Sequence, residues 1–536
     1  MKQNRAFISG ELLKNLENAE GVSQASMLGD LSGKRTERGI MEVLNSIYGV
    51  ITAIDGWLWG LPLIIILVGT HLFMTIRTKG IQRKIFTGIK LSFTKDPDSE
   101  GDVSPFAALT TALSATVGTG NIIGVATAII SGGVGAIFWM WIIGILGIAT
   151  KYAESFISVK YRVKDRTGQM LGGAMYALRR GFKGKTWAKV TAFLFALFAA
   201  IATFGIGGAV QSNSTCGIIN EYLPNVPIWV IGLIAAILVG IIIFGGLNSL
   251  SKVCEKLVPF MAIFYVVCCI IIIGINGAYL LDAIKWIVVC AFTPKAMVGG
   301  GVGFAVASAL RFGAARGLFS NEAGLGSAPL VDANATCRNP ARQALVSMTG
   351  VFWDTVVICL VTGLTLVTAI LANPDLSVAY QITNQGVLAG WDSDTIVAAG
   401  GFAKGLKLTV AAFNEIPVFG PIVLIVGMCL FSFTTMLGWS WYGNRVVTYL
   451  FGEKAVKPYQ ALFLLFIFLG AIGGSALIAN LAWDFADIMN GLMAIPNCIA
   501  IWALSRVIAK ETNHYVYDGN LDEKCDDIIP YVDDID

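Results

Sequence analysis

The sequence predicts an all-α membrane protein of about eleven transmembrane helices, a 5+5 inverted repeat preceded by one extra N-terminal span. Three observations predict it. Of 536 residues, 55% are hydrophobic and only 14% charged, against roughly 25% charged in soluble domains; the mean hydropathy is +0.71. Apolar stretches of about 20 residues, the length a helix needs to cross a bilayer, recur along the chain. Two of these stretches are interrupted by small polar residues: SATVGTGNIIG at 114–124 and GLFSNEAGLGSAP at 317–329.

Residues 1–41 mix both charge signs and read as a polar extension without the apolar core of a signal peptide. The segment 42–77 holds the extra span, centred on 46–76. The segment 78–103 contains GIQRKIFTGIKLSF, where Ile81, Ile85 and Ile89 fall on one helical face; it reads as an amphipathic helix on the membrane surface, followed by a linker. A first repeat, 104–275, carries spans at about 104–130, 135–159, 187–215, 228–246 and 255–275. An external connection covers 276–300. The second repeat, 301–508, carries spans at about 301–335, 344–372, 417–444, 459–479 and 484–506, with a long connection at 373–416. An acidic tail, 509–536, is expected to be mobile.

Lysine and arginine set the orientation. Loops 77–95, 160–189, 246–256, 336–343 and 445–457 hold twenty-two of them, and the alternate loops hold four. The first set is therefore cytoplasmic, which puts the C-terminus inside and, with eleven spans, the N-terminus outside.

The breaks lie in spans 2 and 7, so each group of five opens with a broken helix. Because five is odd, the groups enter the membrane from opposite sides, the pattern of secondary transporters. A broken helix cannot face lipid, since each unsatisfied backbone group costs several kcal/mol there. It must face protein or a wet cavity. There a half-helix N-terminus attracts an anion and freed carbonyls attract a cation. A zwitterionic amino acid with Na⁺ meets both needs. The bland alternative is helix packing through Gly120 and Gly124; a matching break in each half speaks against it. A dinucleotide loop is excluded, because Ile123 breaks the GxGxxG spacing and no strand precedes it.

At these residues the sequence resembles the alanine or glycine:cation symporter family. SATVGTGNIIGVATA (114–128) and GLFSNEAGLGSAP (317–329) carry the resemblance, with ATKYAE (149–154), VQSNS (210–214), RQALVSMTG (342–350), LGWSWYG (437–443) and MNGLMAIPN (489–497). It is collinear over about 42–508. It implies a LeuT-type fold with one additional N-terminal span, and import of small amino acids, mainly alanine and glycine, with Na⁺ or H⁺. It further implies that Thr116 and Gly120 cradle the substrate carboxylate. By the same resemblance Gln211 would face the substrate. Phe319, Ser320 and Asn321 would contact the amino group and wall the pocket, and Thr435 and Trp439 would close the other side. A Na⁺ site would use the carbonyls of Ser114, Val117 and Phe431 with the hydroxyls of Thr434 and Thr435. The one departure, VQSNS where the family has VQTNS, keeps the hydroxyl.

Several charges fall within spans: Lys151, Glu154, Arg311, Arg316, Glu322, Asp332, Asp354 and Asp484. Intramembrane charges are costly and mark function or internal pairing. Lys151 and Glu154, three apart, can pair directly. Trp57, Trp59, Trp139 and Trp141 are expected in the interfacial belt. Ten cysteines lack paired spacing, and two histidines cannot form a metal cluster alone. The net charge of +3 offers no footprint for nucleic acid. No nucleophile–base pair suggests an enzyme, and no cofactor is expected beyond Na⁺ as coupling ion. A channel, or an uncoupled or proton-coupled carrier, stays open as an alternative; a channel would more naturally repeat polar residues along a continuous pore.

Overall fold

The computed structural model describes residues 46–96, 99–292, 302–373, 400–472, 476–525 and 527–535; of 302–308, 400–404 and 476–482 it describes the backbone alone. The polar extension 1–41 lies outside the described residues, as do parts of the connections 276–300 and 373–416. The chain divides into two compact units, residues 1–53 and 54–536. In the first, the described residues 46–53 are helical. Apart from the start of helix Ser46–Arg77, everything below concerns the second.

Among the described residues, eight helices are long and apolar enough to cross a membrane: Ser46–Arg77, Ala136–Lys160, Thr186–Tyr222, Gly246–Ile275, Pro340–Ala372, Phe419–Phe451, Glu453–Ile472 and Trp483–Tyr517. A ninth is the pair Pro105–Thr116 and Gly120–Gly132, bent by 55°. Two further expected spans meet the criterion less well. Ile228–Ile243 has 16 residues, and Val302–Asn321 has 20 and stops at the second break.

The chain starts its critical helices with the same device. Ser104 accepts a hydrogen bond from the Ala107 amide and Pro105 follows it; Asn339 accepts from the Arg342 amide and Pro340 follows it. A polar cap satisfies one orphan donor, and proline at the first position lacks the N–H that would be orphaned there. Each cap contributes about 1 kcal/mol. Helix Ala136–Lys160 forms the spine. It packs against Leu61–Arg77, Val302–Asn321 and Pro340–Val351, and its residues from Gly147 to Val159 are buried without interruption.

The structure alters local expectations. The amphipathic segment turns its isoleucine face inward: Ile81 and Ile85 are buried, while Phe86 and Phe93 are exposed. Gly88 permits this, because any Cβ there would collide with the Leu345 carbonyl. Trp59 is not an interfacial residue; it is buried and its Nε1 donates to the Asp487 carbonyl at 2.9 Å. The connection 276–300 contains a helix, Leu280–Phe292.

The acidic tail is docked rather than free. The last span continues helical to Thr512. Beyond it the Cys525 amide donates to the Arg338 carbonyl at 2.8 Å and the Lys164 amide to that of Pro530 at 2.9 Å. Lys160 pairs with Glu511 at 2.7 Å and Asp527 at 2.6 Å, and Arg342 with Asp522 at 2.6 Å. The tail's acidic residues are thus the counter-charges of the basic loops.

Candidate functional site

The first break starts where helix Pro105–Thr116 ends on an extended Val117 (φ −77°, ψ 93°). A π-helical turn, Gly120–Gly124, restarts the helix. The Asn121 side chain closes the gap by accepting from the Gly118 amide at 2.8 Å. Two of the break's small residues permit close approach. A Cβ on Gly118 would lie 2.5 Å from Thr435 Oγ1 and 3.5 Å from Gln211 Oε1. A Cβ on Gly120 would lie 3.4 Å from Phe319 Cδ1 and from Ser320 Cα. The first break therefore meets both the second break and helix Phe419–Phe451.

The second break starts after Asn321. Glu322 takes a left-handed φ of 55°, and Gly324 and Gly326 follow with φ of 90° and 83°. Such angles favour glycine; Glu322 is the exception, held by its hydrogen-bonded contact with Ser327. Glu154 gathers the loop's freed amides: its Oε2 accepts from Gly324 and Gly326 at 3.1 and 3.2 Å, and from Asn497 at 2.9 Å. Lys151 balances it at 3.2 Å, the pair expected from their spacing. Asp332, also buried, accepts from Gln343 and Ser347.

Gln211 sits two residues past the end of a π-helical segment, Thr203–Ala209. A π segment leaves carbonyls without their usual partners. Gln211 Nε2 takes one of them, donating to Ile206 O at 3.1 Å. This bond fixes the amide's orientation and leaves Oε1 buried, without a partner among the described residues, on the side of Gly118. Trp439 packs over Gly207, which has no room for a Cβ beneath it. Its Nε1 is likewise buried without a partner.

The expected cation ligands divide. Thr435 Oγ1 donates to Val117 O at 3.3 Å, so those two meet. Ser114 Oγ donates to Thr111 O, and Ser114 lies against Gly438 on the same face. The Thr434 hydroxyl turns elsewhere, onto the carbonyls of Leu430 and Phe431 at 3.1 and 3.0 Å and onto Met261 Sδ at 3.3 Å. Thr116 is buried, and its hydroxyl makes only long contacts, 3.4 and 3.5 Å, to its own helix. Ser320 and Asn321 are engaged with protein: Ser320 Oγ donates to Asp354 Oδ2 at 2.9 Å and Asn321 Nδ2 to Thr355 Oγ1 at 3.0 Å.

Asp354 is the residue that sequence reasoning flagged without a role. It lies in a third π segment, Phe352–Cys359. Its Oδ1 accepts from Asn121 at 2.7 Å, and its Oδ2 from Ser320 and from Thr355, the latter at 2.7 Å. One carboxylate thus ties the first break to the second. Asn121, three residues past Gly118 in a mid-span glycine run, was the legible half of this link.

Two facing helix breaks at the depth of apolar spans, tied by the buried Asp354 carboxylate, define a polytopic transporter rather than an enzyme. The chain belongs to the sodium:alanine symporter family, whose sequence profile matches residues 44–526. It is 45% identical to a transporter of Haemophilus influenzae over 473 residues, 88% of this chain and 96% of that one. It is 40% identical to the sodium/alanine symporter AgcS of Methanococcus maripaludis over 470 residues, 87% and 96% of the two chains. It is also similar to the amino-acid carrier protein AlsT of Bacillus subtilis, 32% identical over 84% of this chain and 88% of the other.

Proposed function

We propose that the chain imports alanine or glycine together with Na⁺, by alternating access of a LeuT-type 5+5 inverted repeat. In this reading eleven helices span the membrane, Ile228–Ile243 and Val302–Asn321 being counted with the other nine. The N-terminus is outside and the docked tail lies in the cytoplasm, with the lysine- and arginine-rich loops.

The observation that carries the reading is the convergence on Gly118 of Gln211 Oε1 and Thr435 Oγ1. Gln211 offers an acceptor to the substrate ammonium. Thr116 and the half-helix beginning at Gly120 receive its carboxylate at a dipole end favourable to anions. Phe319 and Trp439 leave room for little more than a methyl group. Ser320 and Asn321 shape the floor through Asp354 and Thr355. Na⁺ takes the carbonyls of Ser114, Val117 and Phe431 with the hydroxyls of Thr434 and Thr435, bridging the first break to helix Phe419–Phe451. Hard cations want several oxygen ligands; the contact of Thr435 Oγ1 with Val117 O supports this seam, and Thr434 would have to turn from its own helix to join it. One charge moving through 100 mV yields about 2.3 kcal/mol, and a tenfold Na⁺ gradient adds about 1.4 kcal/mol. Together they sustain a substrate gradient of roughly 500-fold.

The test is uptake of labelled alanine into proteoliposomes with an inward gradient of Na⁺ or of choline. Accumulation in Na⁺ alone, competed by glycine and not by leucine, is expected. Uptake indifferent to Na⁺, or leucine carried as fast as alanine, overturns the reading.

A further inference from the structure

A groove of about 430 Å³ lies between the short helix Ile85–Ser92, helix Pro105–Thr116, helix Gly246–Ile275 and the π segment Phe352–Cys359. Phe93, Phe106, Leu113, Val258 and Val357 wall it. Two hydroxyls reach it, and both are engaged by their own helices. Thr110 donates to the carbonyls of Phe106 and Ala107 at 2.9 and 3.2 Å, and Ser92 donates to that of Gly88 at 3.0 Å. The groove therefore offers water no partner. Its rim residues Ile263, Val267 and Trp353 are exposed, so it opens sideways from the spans. Val117 lines it too, and the Val117 carbonyl receives Thr435 Oγ1 in the seam described above.

Size and charge together select an occupant. An apolar cavity of about 150 Å³ takes one benzene, so this groove has room for roughly eighteen carbons, one lipid acyl chain. Positive charge is gathered at one end of it. Lys252, Lys256, Pro259, Ile263 and Val266 recur at helical spacing, so they share one face of helix Gly246–Ile275, lysine first and apolar after. Lys90 and Lys95 flank Phe93 at the end of the short helix, and all four lysines are exposed. Carboxylates beside them are already engaged: Glu255 accepts from Ser104 at 3.1 Å, and Asp96 pairs with Arg338 and Arg342. A hydrocarbon tail below a negative head answers both halves of this surface, and basic clusters at a membrane surface attract anionic lipids.

We propose that the groove is a binding site for one anionic phospholipid, an acyl chain lying along Phe106, Leu113 and Ile263 and the phosphate held by Lys90, Lys252 and Lys256. In the orientation proposed above this is a lipid of the cytoplasmic leaflet. Its chain packs behind Val117 and so braces the extended turn of the first break on which Thr435 closes. The site does not depend on which solute is carried.

The test is native mass spectrometry of the purified full chain, titrated with dioleoyl phosphatidylglycerol or with dioleoyl phosphatidylcholine, which has the same chains and no net charge. One phosphatidylglycerol is expected to bind about tenfold more tightly than phosphatidylcholine and than any further phosphatidylglycerol. Ala262→Trp fills the groove and is expected to lose this tight component. Lys90→Gln, Lys252→Gln and Lys256→Gln combined, all exposed positions, are expected to weaken it to the phosphatidylcholine level. Equal binding of the two lipids would show ordinary annular lipid and overturn the site. Retention of the tight component in either variant overturns it as well.

Discussion

Asn121 Nδ2 lies 2.7 Å from Asp354 Oδ1, across 233 residues of sequence. The contact joins the residue that restarts the first broken helix to a carboxylate that also holds Ser320 of the second. Removing that carboxylate leaves the Thr355 hydroxyl without its acceptor, and leaves Asn121 and Ser320 with only the weaker Asp354 carbonyl and Cys359 sulfur contacts. Each buried group so orphaned costs about 1–3 kcal/mol. Asp354→Ala is expected to lower Na⁺-driven alanine uptake at least tenfold, normalised to protein in the membrane. Wild-type uptake in this variant would show that the two breaks do not need their tie.

The acceptor at Gln211 gives a second expectation. Gln211→Ala removes the partner proposed for the substrate ammonium and frees the Ile206 carbonyl. The apparent KM for alanine should rise about tenfold, as loss of one bond to a charged group implies. Gln211→Glu, which keeps an acceptor, should retain more affinity than the alanine variant. An unchanged KM in Gln211→Ala, with reduced protein in the membrane, would assign the residue to packing.

The neighbouring threonines should separate. Thr435 reaches Val117, whereas Thr434 is bonded within its own helix and to Met261. Thr435→Val should raise the Na⁺ concentration for half-maximal uptake several-fold and weaken alanine binding. Thr434→Val should raise it less. Identical Na⁺ curves for wild type and both variants would remove the cation from this seam.

The docked tail predicts a pH and charge dependence. Burial alone would raise the Asp527 carboxyl, but its hydrogen bond to Lys160 holds it below its ordinary value of 3.8. A carboxyl lowered on docking stabilises the docked state above that ordinary value, and the contribution fades as pH falls through the lowered one. The tail should therefore stay in place from pH 7 to 5. Lys160→Met should release it at neutral pH. Hydrogen exchange at the Cys525 amide, bonded to Arg338 in the docked state, reads this directly. Slow exchange persisting in Lys160→Met would mean that backbone bonds suffice.

Legibility in the sequence followed the range of the interactions. Gly118, Gly120, Gly324 and Gly326 announced both breaks, because non-helical residues inside an apolar stretch need no partner to be noticed. Lys151 and Glu154 announced their pair by spacing. Residues whose role depends on a distant partner stayed hidden. Trp59 looked like an interfacial aromatic until its indole met Asp487. Ile81 and Ile85 looked lipid-facing because the tolerance that buries them belongs to Gly88 and the Leu345 backbone. The tail's acidity was plain, but its partners Lys160 and Arg342 lie at helix ends that sequence order does not bring near. The engagement of Ser320 and Asn321 with Asp354 and Thr355 had no local signature at all.

The π segment ahead of Gln211 has an evolutionary corollary. A π segment carries one residue more than the α-helix it interrupts, and each residue turns a helix by about 100°. Deleting a single residue from 203–209 would leave the span long, apolar and inserted, with an unremarkable hydropathy profile. It would also swing Gln211 off the Gly118 side and take the Gly207 gap from under Trp439. Relatives lacking one residue there would still be recognisable as kin while having lost this recognition geometry, so insertions and deletions at this turn are a sharper marker of altered cargo than substitutions in the pocket.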